Sequence, residues 1–150
     1  MLPTQMRQEI LEIPTAVARL LEGGAPGIQA AAAALRAHDP QFLISVARGS
    51  SDHVASYLKY ASELLMGRAM ASIGPSIASI YDRPLNLKGS ACLTVSQSGK
   101  SPDIVAMTQA ARTGGSLTIA MTNTPDSPLA QVADHTLNLC AGPELSVAAT

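Results

Sequence analysis

Two short polar runs carry the side chains best suited to gripping an anion: RGSSD at 48–52, with Gly49, Ser50 and Ser51, and SQSGKS at 96–101, with Ser96, Gln97, Ser98, Gly99 and Ser101. Hydroxyls can donate hydrogen bonds to an oxyanion, and glycine allows close approach of the backbone. Gln97 adds an amide that can bond a hydroxyl, and Lys100 a nearby positive charge. Such a set suits a neutral polyol bearing one phosphate. Serine and glycine also fill loops and helix caps without any ligand, so the placement of the runs must decide.

Placement follows from the pattern around them. Apolar residues at three- and four-residue steps between 7 and 22 indicate a helix, with Pro14 opening a second segment and Gly23-Gly24 stopping it. An alanine-rich helix over 27–37 and a turn at Asp39-Pro40 follow. Then the grammar changes. A short apolar run at 42–47 leads into the loop at 48–52 and a helix over 53–66. The same order recurs at 91–96, 97–101 and 102–112, and again at 117–122, 123–128 and 129–133, before a last strand at 136–139. Residues 69–73 read as one more strand, with a short helix after Pro75.

Nearly continuous apolar strands alternating with helices predict a parallel sheet covered on both faces. The expected fold is α/β, a flavodoxin-like three-layer α/β/α domain with N-terminal helices and five parallel strands in order 2-1-3-4-5. In such a sheet the carboxyl ends of strands 1 and 3 flank the switch point where ligands sit. Both polar runs would lie there, each leading into a helix N-terminus that favours anions.

Several other chemistries fit poorly. A formal net charge of -1, from 10 Lys+Arg against 11 Asp+Glu, provides no field for nucleic acid or an anionic membrane, and 3% aromatic residues leave few rings for base stacking. No apolar stretch approaches the length of a membrane span, and no leader is evident, so a soluble cytoplasmic protein is expected. SQSGKS ends like a nucleotide-binding P-loop, but the first glycine of that motif would fall at Thr94. Cys92 and Cys140 sit in apolar runs without metal-ligand spacing and read as buried free thiols; no metal and no cofactor are expected. His38 and His135 read as surface or capping residues, while His53 follows a candidate ligand loop. Glu144 could act as a base but reads as a solvated loop carboxylate.

The segments ARGSSD at 47–52, LTVSQSGKSPD at 93–103, AMTNTPDSPLAQVAD at 120–134 and AGPELSVAAT at 141–150 resemble the SIS (sugar isomerase) domain family. Within it they are most similar to the isomerase part of glutamine-fructose-6-phosphate aminotransferases and to stand-alone enzymes that deaminate glucosamine 6-phosphate. The resemblance implies that Ser96, Gln97, Ser98 and Ser101 bind phosphate, that Ser51 contacts the sugar, and that Val147 contributes a backbone contact. Arg48 and Lys100 depart from the aminotransferase pattern, which has a small Cys and an acidic residue there.

By the same resemblance, 1–40 is an N-terminal helical segment and 41–150 a first SIS domain, cut short, whose second repeat is absent. The catalytic groups are expected in that second repeat and the tail beyond it, so the fragment alone is expected to be inactive. Position 2 is Leu2, where a glutaminase would have its nucleophilic cysteine. Deamination of glucosamine 6-phosphate to fructose 6-phosphate and ammonia is therefore the expected activity of the full-length protein. The alternatives are an aminotransferase-type enzyme or deglycase acting on another sugar phosphate, and a non-catalytic sugar-phosphate sensor. Exposed apolar surface on so partial a protein leads to the expectation of poor solubility or dimerisation of the isolated 150 residues, and a homodimer is the expected assembly.

Overall fold

Short apolar runs become strands and the polar-flanked runs between them become helices, in the order α1 (Gln5–Gly23), α2 (Ala25–His38), β1 (Phe42–Val46), α3 (Ser50–Met66), β2 (Met70–Ser72), α4 (Ser76–Ser79), β3 (Ser90–Val95), α5 (Pro102–Thr113), β4 (Leu117–Thr122), α6 (Pro128–Val132) and β5 (His135–Asn138). The structure, a computed structural model, describes residues 4–146. The five strands are parallel and ordered β2-β1-β3-β4-β5, as the pattern predicts.

Alternation along β1 divides the core between the two faces of the sheet. Ile44 and Val46 join Cys92 and Ala120 under Ile104, Met107 and Ala111 of α5 and Leu129 of α6. Leu43 points the other way, with Met70 and Ala91, against Leu35 of α2 and Leu58 of α3. All three tyrosines are exposed, at Tyr57, Tyr60 and Tyr81, so small aliphatic side chains fill the interior.

Hydroxyls fill the remainder in satisfied groups. Thr94 and Thr108, both fully buried, share a hydrogen bond of 2.9 Å, and Thr108 also donates to the Ile104 carbonyl. Ser90 donates to the Leu87 carbonyl and to Ser116. Such pairing removes the penalty of burying polar atoms.

Two local expectations are corrected. Pro14 lies inside α1 rather than opening a new segment. Proline deletes one N–H and crowds the carbonyl four residues back, but α1 has no buried residue and Ile10 is exposed, so water can serve that carbonyl. The second correction concerns Ser50, Ser51 and Asp52, which form the first turn of α3 rather than a loop. Polar residues are at home there because the first N–H groups of a helix lack intrahelical partners.

Asp134 closes the edge of the sheet. Its Oδ2 accepts from the Thr118 N–H (3.0 Å) and hydroxyl (2.8 Å), and its Oδ1 meets Arg112 Nε at 2.8 Å. Partial burial opposes the charge, but the Thr118 bonds and Arg112 outweigh it and hold the carboxyl below its ordinary value of 3.8. A lowered folded pKa means that this support is complete above the unfolded value and is lost as acid carries the group through the folded one. Asp134→Ala leaves the buried Thr118 hydroxyl without its acceptor and should cost about 1–3 kcal/mol at neutral pH. A lowered urea midpoint for the variant, with the gap to the parent closing in acid below the ordinary carboxylate pKa, is the expected result; equal midpoints at pH 7 would contradict it.

Candidate functional site

The register Val46↔Thr94, Val95↔Met121 and Thr122↔Asn138 brings the carboxyl ends of β1, β3, β4 and β5 to one edge. The segments that follow these strands emerge side by side there.

After β3 the chain makes a tight loop whose bonds are mostly internal. Ser96, buried, accepts from the Gly99 N–H at 3.3 Å, and Ser98 accepts from the Lys100 N–H at 3.3 Å. Both hydroxyls keep a proton to donate. Gly99 has φ +61, and a Cβ there would lie 2.2 Å from the Ser127 hydroxyl and 2.9 Å from that of Thr122. The glycine therefore permits close packing against the β4–α6 connection. β4 and α6 hold the loop from behind: the Gln97 carbonyl accepts from the Asn123 N–H and the Thr122 hydroxyl, and the Gly99 carbonyl from the Leu129 N–H.

Ser101 is the N-cap of α5, yet its side chain does not cap the helix. The first N–H groups of α5 and the Ser101 hydroxyl are left able to meet an anion. Asp103 in that first turn would repel one, but Arg48, from the end of β1, lies 2.5 Å from its Oδ2. Oδ2 accepts no well-directed hydrogen bond among the described residues, so the pair is an ion contact that neutralises the carboxylate. The same pair ties the β1 and β3 connections together. Gly49, φ +57 with open space about its Cα, precedes Ser50 and the half-buried Ser51. Lys100 is exposed at the rim.

An open cleft of about 740 Å³ lies on the β4–β5 side of this loop, lined by Gln97, Asn123, Thr124, Asn138, Cys140, Gly142, Pro143 and Glu144. Among the described residues of the predicted set, Gln97 lines it. Ser98 and Ser101 lie in the loop after β3 and Ser96 is buried beneath it, residues 49–51 follow β1 on the other side of β3 from the cleft, and Val147 lies outside the described residues. Glu144 is half-buried in the cleft wall rather than freely solvated. Cys140, expected as a buried thiol in an apolar run, falls past β5 at φ +54 and is only half-buried, whereas Cys92 is buried and burial pushes its thiol up to about 11. Among the described residues no group of three His, Cys, Asp or Glu is placed to hold a metal ion.

The wall formed by 140–146 is fixed by residues that sequence reasoning did not select. Asn123 donates to the Gly142 carbonyl at 2.7 Å and accepts from the Ala141 N–H at 2.9 Å. Arg19 of α1 donates to the Cys140 and Ala141 carbonyls at 3.2 Å each. Glu9 accepts from the N–H groups of Leu145 (2.7 Å) and Ser146 (3.1 Å) and from the Ser146 hydroxyl. Asn123, Thr124 and Asn138 could have been found, because they sit just past or at the ends of predicted strands. Glu9 and Arg19 carry no such signal.

The family profile described as the SIS domain matches residues 38–150. The glutamine-fructose-6-phosphate aminotransferase of Zymomonas mobilis is 32% identical over 97% of this chain, which covers 24% of that enzyme. A solved structure from Silicibacter pomeroyi, assigned as a phosphosugar isomerase, is 59% identical with a TM-score of 0.94, over 97% of this chain and 44% of that one. The C-terminal domain of the Francisella tularensis glucosamine-fructose-6-phosphate aminotransferase shares the fold at 24% identity and a TM-score of 0.84, over 99% of this chain and 43% of that domain. The chain thus spans under half the length of these relatives. A five-stranded parallel sheet, a hydroxyl-lined loop at the carboxyl end of its third strand, and a profile match over most of its length establish that this chain belongs to the SIS domain family.

Proposed function

We propose that the chain binds a sugar phosphate at the carboxyl edge of its sheet, and that the full-length protein converts glucosamine 6-phosphate and water to fructose 6-phosphate and ammonia. The observation that carries the binding step is the β3–α5 loop, which presents an uncapped helix start and the hydroxyls of Ser98 and Ser101, with the first-turn carboxylate of Asp103 neutralised by Arg48. A phosphate placed there meets N–H groups, hydroxyls and a helix dipole of favourable sign. Gln97 and Asn123 in the adjoining cleft then offer amides to the sugar hydroxyls. Ser51 and Val147 are assigned to the sugar by their match to the family motif.

The chemistry begins with ring opening. A carboxylate base takes the proton from C2 of the open-chain amino sugar, the proton is returned at C1, and water hydrolyses the resulting imine to the ketone with release of ammonia. The base is assigned to the part of the full-length protein beyond this chain, which is why the 150 residues alone are assigned binding without turnover.

Leu11 and Leu21 of α1 and Leu64 and Leu65 of α3 are each more than 60% exposed. Such surface is covered either by a second copy or by the part of the relatives' length that this chain does not span, and of these we propose a second copy. Light scattering on the full-length protein should give a dimer, and a monomer at micromolar concentration would contradict this.

The activity is tested on the full-length protein with glucosamine 6-phosphate and no glutamine, following ammonia and fructose 6-phosphate together. Equal appearance of both is expected. Ser98→Ala should weaken sugar-phosphate binding by roughly tenfold or more, the worth of one hydrogen bond to a charged group, with kcat much less affected. Binding without ammonia would leave a sensor or a different reaction, and unchanged affinity in the variant would remove the phosphate from this loop.

A further inference from the structure

The wall of the cleft is held by charges on a helix from the far end of the chain, and the match between them is specific. Residues 140–146 form no helix or strand. Their carbonyls at Cys140 and Ala141 face the Arg19 guanidinium, and their N–H groups at Leu145 and Ser146 face the Glu9 carboxylate. Each charge thus meets the end of the peptide dipole it attracts. The lengths agree as well. The ten steps of helix from Glu9 to Arg19 span about 15 Å, within the limit of about 17 Å that five steps from Cys140 to Leu145 can reach. The segment therefore runs antiparallel along α1, fastened at both ends.

Between these fastenings the packing is loose. A cavity of about 300 Å³ separates α1 from the segment, lined on one side by Ile10, Ile13 and Ala16 and on the other by Leu139, Ala141 and Pro143. Gly142, Pro143 and Glu144 of the same segment line both this cavity and the large cleft. Without apolar packing to fix it, the position of the wall depends on its polar ties to α1 and Asn123. α1 in turn has no buried residue, so these ties also help seat the helix. Glu9 stays ionised at neutral pH, its carboxyl lowered chiefly by the Ser146 hydroxyl and next by the Leu145 N–H.

We propose that Glu9, seconded by Arg19, is a positioning residue for the sugar-binding wall: it fixes residues 140–146 against α1 and thereby sets the affinity for the sugar part of the ligand, but not for its phosphate. The inference rests on the reading of the cleft as a sugar-phosphate site. It adds a residue of α1, well over a hundred positions away in sequence, to the determinants of that site. Bound sugar and the Glu9 contacts then stabilise each other, because both require the same position of the wall.

The test compares the full-length protein with its Glu9→Gln and Glu9→Ala variants by three readouts. The first is hydrogen exchange across 140–146 without ligand; the others are affinities for fructose 6-phosphate and for inorganic phosphate. Glu9→Ala should speed exchange at the Leu145 and Ser146 amides by about tenfold and weaken fructose 6-phosphate by about 3- to 10-fold, as expected for loss of ordinary hydrogen bonds. Inorganic phosphate should bind all three proteins alike. Glu9→Gln keeps one carbonyl acceptor and should fall between. A general folding defect would weaken both ligands, which overturns the proposal, as does unchanged exchange or unchanged fructose 6-phosphate affinity in Glu9→Ala. If the unmodified protein binds no sugar phosphate, the functional reading itself falls and takes this inference with it; if that protein binds and Glu9→Ala binds equally well, only the inference falls.

Discussion

The carbonyl oxygen of Gln97 is the point on which the site depends. By accepting both the Asn123 N–H and the Thr122 hydroxyl, it pins the loop after β3 to the end of β4. Gly99, pressed against Ser127 and Thr122, and its carbonyl bond from Leu129 complete the attachment. The loop is therefore shaped by the sheet and by α6 before any ligand arrives. An anion site made of N–H groups is useful only if those groups already point at one place, since reorganising them at binding would consume the affinity. Here the core supplies that rigidity.

The site as proposed, with a phosphate end and a sugar end, has two parts with different supports. The phosphate end belongs to the sheet, through β3, α5 and the ion contact that links Arg48 to Asp103. The sugar end belongs to an irregular segment tied to Asn123 on one side and to α1 on the other. The first part is fixed by regular structure, the second by a few side-chain bonds.

The sheet was legible because β1, β3 and β4 are short, mostly apolar runs bounded by turn residues, and β4, lying between Gly115 and Asn123, was found to the residue. The start of α3 was misplaced because Ser50, Ser51 and Asp52 suit a loop and a helix first turn equally well, and only the backbone turn at Gly49 decides between them. Pro14 misled for the opposite reason: a strong local signal was overridden in a helix exposed enough to tolerate it. The cleft was only half visible. Gln97 stood in a recognisable loop, whereas the partners of 140–146 on α1 lie beyond the reach of any local pattern.

A crystal structure of the full-length protein grown with fructose 6-phosphate would test the central claim most directly. The account predicts phosphate density at the start of α5, within hydrogen-bond distance of the Ser98 and Ser101 hydroxyls, and the sugar chain entering the cleft beside Gln97. Phosphate bound elsewhere, with 96–101 making no contact to it, would contradict the account.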